Sequence, residues 1–116
     1  MLLVGLVILT IWCNANVFQI KDGHSHINVK EAHVQGPPKG STIQAYIDGH
    51  VLTVAFTENL GSVSIEITNA TGNIVQTFWM STPNGLQTEL YLTGDYVITF
   101  TLPNGDEYYG EFTVTD

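Results

Sequence analysis

Apolar and polar residues alternate along most of the chain beyond residue 42, with the period of two that a half-buried β-strand requires. The alternation comes in short runs, and each run ends at Gly, Pro, Asn or Asp residues that favour tight turns. This pattern predicts strands over 43–47, 52–56, 63–67, 87–92, 96–100 and 108–114.

The run 73–80 is also predicted to be a strand, but it is apolar on both phases. Val75 and Trp79 lie on one phase, while Ile74 and Phe78 lie on the other. Periodicity therefore leaves open which side of this strand faces the core.

Asp48-Gly49 separates the first two alternating runs, and this dipeptide is typical of a type I′ hairpin turn. We therefore expect these two strands to pair directly. Tyr96, at the start of a late strand, is placed to form a tyrosine corner, in which the hydroxyl bonds to backbone a few residues upstream. Strands at intervals of 8 to 12 residues, with no helical period after residue 15, predict an immunoglobulin-like antiparallel β-sandwich of about seven to eight strands.

The N-terminal segment is predicted to be an export signal. Residues 1–13 form a run of apolar and weakly polar residues, shorter than a membrane span needs and matching the apolar core of a secretory signal peptide. Small residues at Cys13 and Ala15 predict a signal peptide over 1–15 and a mature chain that starts at Asn16. No Lys or Arg lies between Met1 and the apolar run, which suggests that the true start lies upstream. Acylation of Cys13 is the less favoured alternative, because the large Trp12 precedes it.

Residues 16–41 are predicted to be a polar arm, with one edge strand near His26 to Lys30 and a loop at Pro37-Pro38. Residues 42–116 are predicted to form the sandwich domain. An exported protein of this kind is expected in the periplasm, at the cell surface or outside the cell.

Charge excludes several kinds of partner. The chain has three Lys and no Arg against eleven Asp and Glu residues, a formal net charge of -8. Nucleic acid and anionic lipid surfaces would repel such a chain, since contacts to phosphate need Lys or Arg. Cys13 is the only cysteine, so no intramolecular disulfide can form.

Three histidines of the N-terminal arm, His24, His26 and His33, are the only group of residues that suggests a metal site. A closed site needs four preorganised ligands, and the polar arm has little to hold them in place. A solvated arm is the favoured interpretation, and no metal or other cofactor is predicted.

No catalytic arrangement is evident in the sequence. No serine lies in a Gly-x-Ser-x-Gly context, and the carboxylates are scattered singly on polar phases of the strands. His50 follows a predicted turn, where an exposed polar residue is ordinary. The chain is therefore predicted not to be an enzyme.

Exposed aromatic residues are the best candidates for a binding face. Tyr46, Tyr91 and Tyr109 fall on the phase opposite the predicted core, together with either Phe78 or Trp79. Such side chains can stack on sugars or anchor a protein partner. The alternative is that they only cover the outer side of the sheets through cross-strand pairing.

The order of several strand motifs resembles the family known as domain of unknown function 3244. The resemblance covers about 43–114, and its motifs are Ile43-x-Ala45, Leu52-x-Val54-x-Phe56, Val63-x-Ile65-x-Ile67, Gly72-x-x-Val75, Gly94-x-Tyr96-x-Ile98 and Tyr109-Gly110-x-Phe112. It implies a small exported protein of gut bacteria with an immunoglobulin-like sandwich, and it implies no catalytic residues.

The sequence favours a non-enzymatic interaction module of the bacterial envelope that binds a protein or a glycan. Three alternatives remain: a structural or assembly domain, a weak metal-binding protein that uses the histidine arm, and a sorting domain of the type IX export system. The last also has a Gly-x-Tyr strand near its end, but sorting domains usually carry Lys or Arg near the last strand, where this chain is acidic.

Overall fold

The computed structural model describes residues 25–35 and 42–116, and these residues form nine β-strands. The predicted signal peptide, Cys13, Asn16, His24 and the loop at Pro37-Pro38 lie outside the described residues. In chain order the strands are β1 (Ser25–Ile27), β2 (Lys30–His33), β3 (Ile43–Asp48), β4 (Val51–Phe56), β5 (Ser62–Asn69), β6 (Ile74–Ser81), β7 (Leu86–Glu89), β8 (Gly94–Thr101) and β9 (Glu107–Val114).

The strands form two antiparallel sheets that pack face to face. One sheet has the order β1-β3-β4-β7, and the other has the order β2-β9-β8-β5-β6. The seven strands predicted beyond residue 42 all form, so the predicted immunoglobulin-like sandwich is confirmed. The described residues contain no helix.

The hairpin between β3 and β4 forms as predicted, but its turn lies one residue later. Asp48 remains in the ladder opposite Val51, and the two loop residues are Gly49 and His50. Gly49 has φ of 59°, a positive value of the kind that the first loop position adopts in both type I′ and type II′ turns.

The N-terminal arm was predicted to carry one edge strand, and the structure has two. β1 pairs with β3, with His26 opposite Tyr46, whereas β2 pairs with β9 in the other sheet. Ile27 at the end of β1 is buried in the core. Residues 25–35 therefore pair with both sheets of the sandwich. The second strand was missed because a polar stretch with one apolar anchor gives little periodic signal.

The core lies between the two sheets and is made of alternate residues from every long strand except β6. Its buried hydrophobic members are Ile27, Ile43, Ala45, Ile47, Leu52, Val54, Phe56, Val63, Ile65, Ile67, Leu90, Tyr96, Ile98, Phe100, Leu102, Tyr108, Phe112 and Val114. No buried side-chain nitrogen or oxygen of the described residues lacks a hydrogen-bond partner. The two sheets thus enclose the core without any disulfide.

β6 is the strand whose facing the sequence left open. Phe78 and Met80 are half-buried and pack against the core, whereas Val75 and Trp79 point to the outside. As the edge strand of its sheet, β6 has a neighbour on one side only, so even its inward residues remain partly exposed.

The predicted tyrosine corner is present. The Tyr96 hydroxyl donates a hydrogen bond to the Leu92 carbonyl at 2.7 Å, and the Tyr96 ring stacks on Phe112 with centroids 5.6 Å apart. This bond fixes the loop between β7 and β8 against the start of β8.

Candidate functional site

Most of the large exposed hydrophobic side chains lie on β6 and on the loop after β7. Trp79 is 73% exposed, Tyr91 is 80% exposed and Leu92 is 75% exposed. Ile74 and Val75 at the start of β6 are also exposed. We call these five residues, Ile74, Val75, Trp79, Tyr91 and Leu92, the exposed apolar surface.

The Gln76 side chain joins the two parts of the exposed apolar surface. Its Nε2 donates to the Glu89 carbonyl at 3.1 Å, and its Oε1 accepts a hydrogen bond of 2.8 Å from the Thr88 hydroxyl. β6 and β7, the edge strands of opposite sheets, are therefore held side by side. Tyr91 follows two residues after Glu89, at the end of the sandwich where β6 begins.

Leu92 was expected on the buried phase of a strand over 87–92, and this expectation is wrong. β7 ends at Glu89, and Leu90 is the last residue of the run that enters the core. Beyond it the chain leaves the sheet for the tyrosine corner, so the alternation no longer applies, and both Tyr91 and Leu92 face solvent.

The other two predicted binding aromatics lie elsewhere. Tyr46 is on the outer face of the four-stranded sheet, where it is half-buried and donates to Gln44 Oε1 at 3.1 Å. Tyr109 is on the outer face of the five-stranded sheet, with the Lys30 ammonium 6.0 Å from its ring centroid. Trp79 shares that outer face, but three strand spacings, about 15 Å, separate it from Tyr109. The four aromatics therefore do not form one binding face.

The described histidines of the N-terminal arm are not brought together. His26 in β1 packs edge-on against Tyr46, with centroids 5.1 Å apart, whereas His33 in β2 lies opposite Glu107 in the other sheet. Within residues 25–35 and 42–116, no three His, Cys, Asp or Glu side chains are close enough to hold a metal ion.

The His50 ring links three parts of the chain. Nδ1 lies 2.6 Å from the Leu90 carbonyl, and Nε2 lies 2.5 Å from Asp116 Oδ1. Both acceptors suit the doubly protonated ring, which donates from each nitrogen. Since both nitrogens are already engaged, His50 is poorly placed to act as a general base toward a substrate.

We expect His50 to titrate above its ordinary pKa. The hydrogen bond to Asp116 and then that to the Leu90 carbonyl raise the pKa of His50 above 6.5, against a smaller opposing effect of desolvation. A group with a raised folded-state pKa stabilises the fold fully below 6.5 and loses that contribution as the pH rises through the raised value. NMR titration of the ring should therefore give a midpoint above 6.5.

The Asp116→Asn variant is the control for this titration. It removes the charged acceptor and keeps the side-chain size, so the midpoint should fall toward 6.5. An equal midpoint in both proteins would mean that Asp116 does not hold the ring.

A groove of about 410 Å³ lies on the outer side of the five-stranded sheet near the turn between β5 and β6. Asp95 and Glu111 contribute carboxylates to its lining, and Asp95 accepts a hydrogen bond from the Thr113 hydroxyl at 2.7 Å. Both carboxylates are exposed, Asp95 near the start of β8 and Glu111 within β9.

Known proteins give the fold a precedent. No curated protein matches the chain. A solved structure does: a DUF3244 family protein with an immunoglobulin-like β-sandwich fold from Bacteroides vulgatus ATCC 8482, at 21% sequence identity and a TM-score of 0.59. The match covers 73% of this chain and 97% of that one. At this identity the match establishes the fold alone.

The last two findings concern membrane-spanning helices and the protein family. In the part of the chain that the structure describes, no helix has the length and apolar character needed to cross a membrane. The model of the family described as domain of unknown function (DUF3244) matches residues 27–114, from the end of β1 to the end of β9. The chain therefore belongs to the DUF3244 family.

Proposed function

We propose that this chain is an exported, non-enzymatic interaction module of the bacterial envelope, and that it binds a protein partner through the exposed apolar surface. The observation that carries the proposal is the exposure of Trp79, Tyr91 and Leu92 beside an interior that is otherwise sealed. Large apolar side chains grouped on a soluble domain commonly mark an interaction site. Aromatic residues are also enriched among those that contribute most to binding.

The composition of the surface favours protein over glycan. Sugars stack on flat aromatic rings, and Trp79 and Tyr91 provide such rings. Ile74, Val75 and Leu92, however, are aliphatic, and they lie at the start of β6 or just after β7, the two strands that Gln76 joins. Mixed aliphatic and aromatic side chains with little charge resemble the core of a protein–protein interface.

Site-specific photo-crosslinking in the native host tests the proposal. A benzoylphenylalanine residue is introduced separately at position 79, 91, 46 or 109, so that each predicted aromatic is sampled. We expect protein adducts from positions 79 and 91 and none from 46 and 109. Adducts only from 46 or 109, or from none of the four, would contradict the proposal.

The captured partner must then bind the purified chain directly. We expect Trp79→Ala to weaken that binding about tenfold or more, as substitution of a central aromatic usually does. Tyr109→Ala, which removes an aromatic from the same sheet, should leave it unchanged. Binding to a glycan array that depends on Trp79 would instead assign the surface to sugars.

A further inference from the structure

We infer that the free edge of β6 accepts an extended, basic strand from a partner protein, which adds to the five-stranded sheet as a sixth strand. This inference rests on the proposed function, because it says how the partner would bind the exposed apolar surface. It follows from a comparison of the four sheet edges and from the distribution of charge.

Three of the four sheet edges carry features that discourage pairing with another chain. β1 has three residues, and β2 and β7 have four each, so each offers few backbone groups. β2 also carries Lys30, and its ladder with β9 is irregular between Glu107 and Tyr108. The Glu89 carbonyl of β7 already accepts a hydrogen bond from Gln76.

β6 is longer than these three strands, although its ladder with β5 also has one irregularity, between Ile67 and Thr68. It has eight residues, and its sequence Ile74–Ser81 contains no charged residue and no proline. Its ladder with β5 is regular from Gln76 to Ser81, so the strand is extended along most of its length. An exposed, long and apolar edge of this kind is a template for another strand.

The side chains of β6 determine the pattern that an added strand needs. Phe78 and Met80 point inward and are only half-buried, because no strand of the described residues lies beyond them. Alternate apolar side chains of a sixth strand would cover these two residues at the open side of the core. The intervening side chains would lie beside Val75 and Trp79 on the outer face.

Charge favours a basic partner over a second copy of the chain. The net charge of -8 would make two copies repel each other. Glu66 lies opposite Thr77 in the ladder next to β6, and Glu89 lies on the adjacent edge strand β7. Lys30 is the only Lys or Arg among the described residues, and it lies at the opposite edge of the same sheet. Lys or Arg side chains on an added strand would therefore meet carboxylates and no nearby Lys or Arg.

The test uses the full chain and four synthetic peptides, with backbone amide exchange of β6 as the readout. The first peptide is Lys-Val-Thr-Val-Thr-Val-Lys. The second and third have alternate backbone nitrogens methylated on one edge and on the other edge, and the fourth has Glu in place of Lys. Strand addition should slow exchange at every second amide of β6, because alternate N–H groups point to the free edge. Methylation on the docking edge, or the change to Glu, should each weaken binding about tenfold or more.

A pair of lysine variants places the site. Val75→Lys adds a cation to the β6 edge and should weaken binding of the basic peptide about tenfold. Asn28→Lys makes the same change of charge between β1 and β2, on the other side of the sandwich, and should leave binding unchanged. Circular dichroism of both variants checks that the sheets remain, and the peptide series needs no variant at all.

Several outcomes would overturn the inference. They are an unprotected β6 at 1 mM peptide, equal binding whichever edge is methylated, tighter binding of the Glu peptide, and a dimer formed through β6 without peptide. Crosslinking at position 79 without strand addition would leave the proposed function standing while this inference fails. Strand addition by the peptide without crosslinks in the host would support this inference while the proposed function fails.

Discussion

Phe100→Ala should lower the free energy of unfolding by about 3–5 kcal/mol. Phe100 is fully buried in β8, and its ring meets Phe56 of the opposite sheet edge-on, with centroids 6.3 Å apart. Alanine would remove this contact between the sheets and leave a cavity that the rigid strands can only partly close. Urea unfolding of both proteins measures the difference. The free energy of unfolding should fall with urea concentration at the same slope in both.

Trp79→Ala is the matched control for this measurement. It also truncates a large aromatic side chain, but Trp79 is mostly exposed, so we expect a change within about 0.5 kcal/mol. A loss at Trp79 as large as that at Phe100 would mean that Trp79 is packed in the folded protein, and the exposed apolar surface would then be misassigned.

Gly110→Val should destabilise the protein by about 1–3 kcal/mol and should loosen β1 first. Gly110 lies on the inward phase of β9, where the chain crosses from β1 to β2. A Cβ at this position would lie 2.6 Å from Ile27 Cγ2 and 3.3 Å from the Asn28 carbonyl oxygen. Both atoms belong to a branched side chain or to backbone, so neither can move aside without displacing the segment. Urea unfolding and amide exchange of Ser25–Ile27 would record the two effects.

A double-mutant cycle separates this steric effect from a general loss of stability. Ile27→Ala removes the methyl group that the new side chain would meet, so the cost of Gly110→Val should be smaller in that background. Additive costs would show that the clash with Ile27 is not the cause.

The buried core and the exposed β6 edge lie in different parts of the sandwich. Alternate side chains from both sheets form an interior in which the main aromatic and aliphatic residues are fully buried. At the β6 edge no strand within 25–35 and 42–116 covers the five-stranded sheet, and Phe78 and Met80 remain half-exposed beside Trp79. Most apolar side chains of the described residues thus stabilise the core, whereas those at the β6 edge are exposed and available for binding.

Much of the fold could be predicted because the relevant signals are local. The strands beyond residue 42 follow from alternation, and the tyrosine corner follows from a tyrosine placed just inside a late strand. Less of the candidate site could be predicted. Trp79 and Tyr91 were among the predicted aromatics, but Ile74, Val75 and Leu92 were not, and Tyr46 and Tyr109 proved to lie apart from them.

The amino-acid sequence by itself determined the class of fold, the seven main strands and, for all of them except β6, which face is buried. Period-two patterning assigns each side chain to one side of its own strand, whatever the neighbouring strands are. Only the tertiary structure decided which strands are edges, which sheet each strand joins, and how the apolar side chains of β6 are exposed. Strand order depends on pairing between residues distant in the chain, and the exposure of an apolar side chain depends on whether another strand lies beyond it.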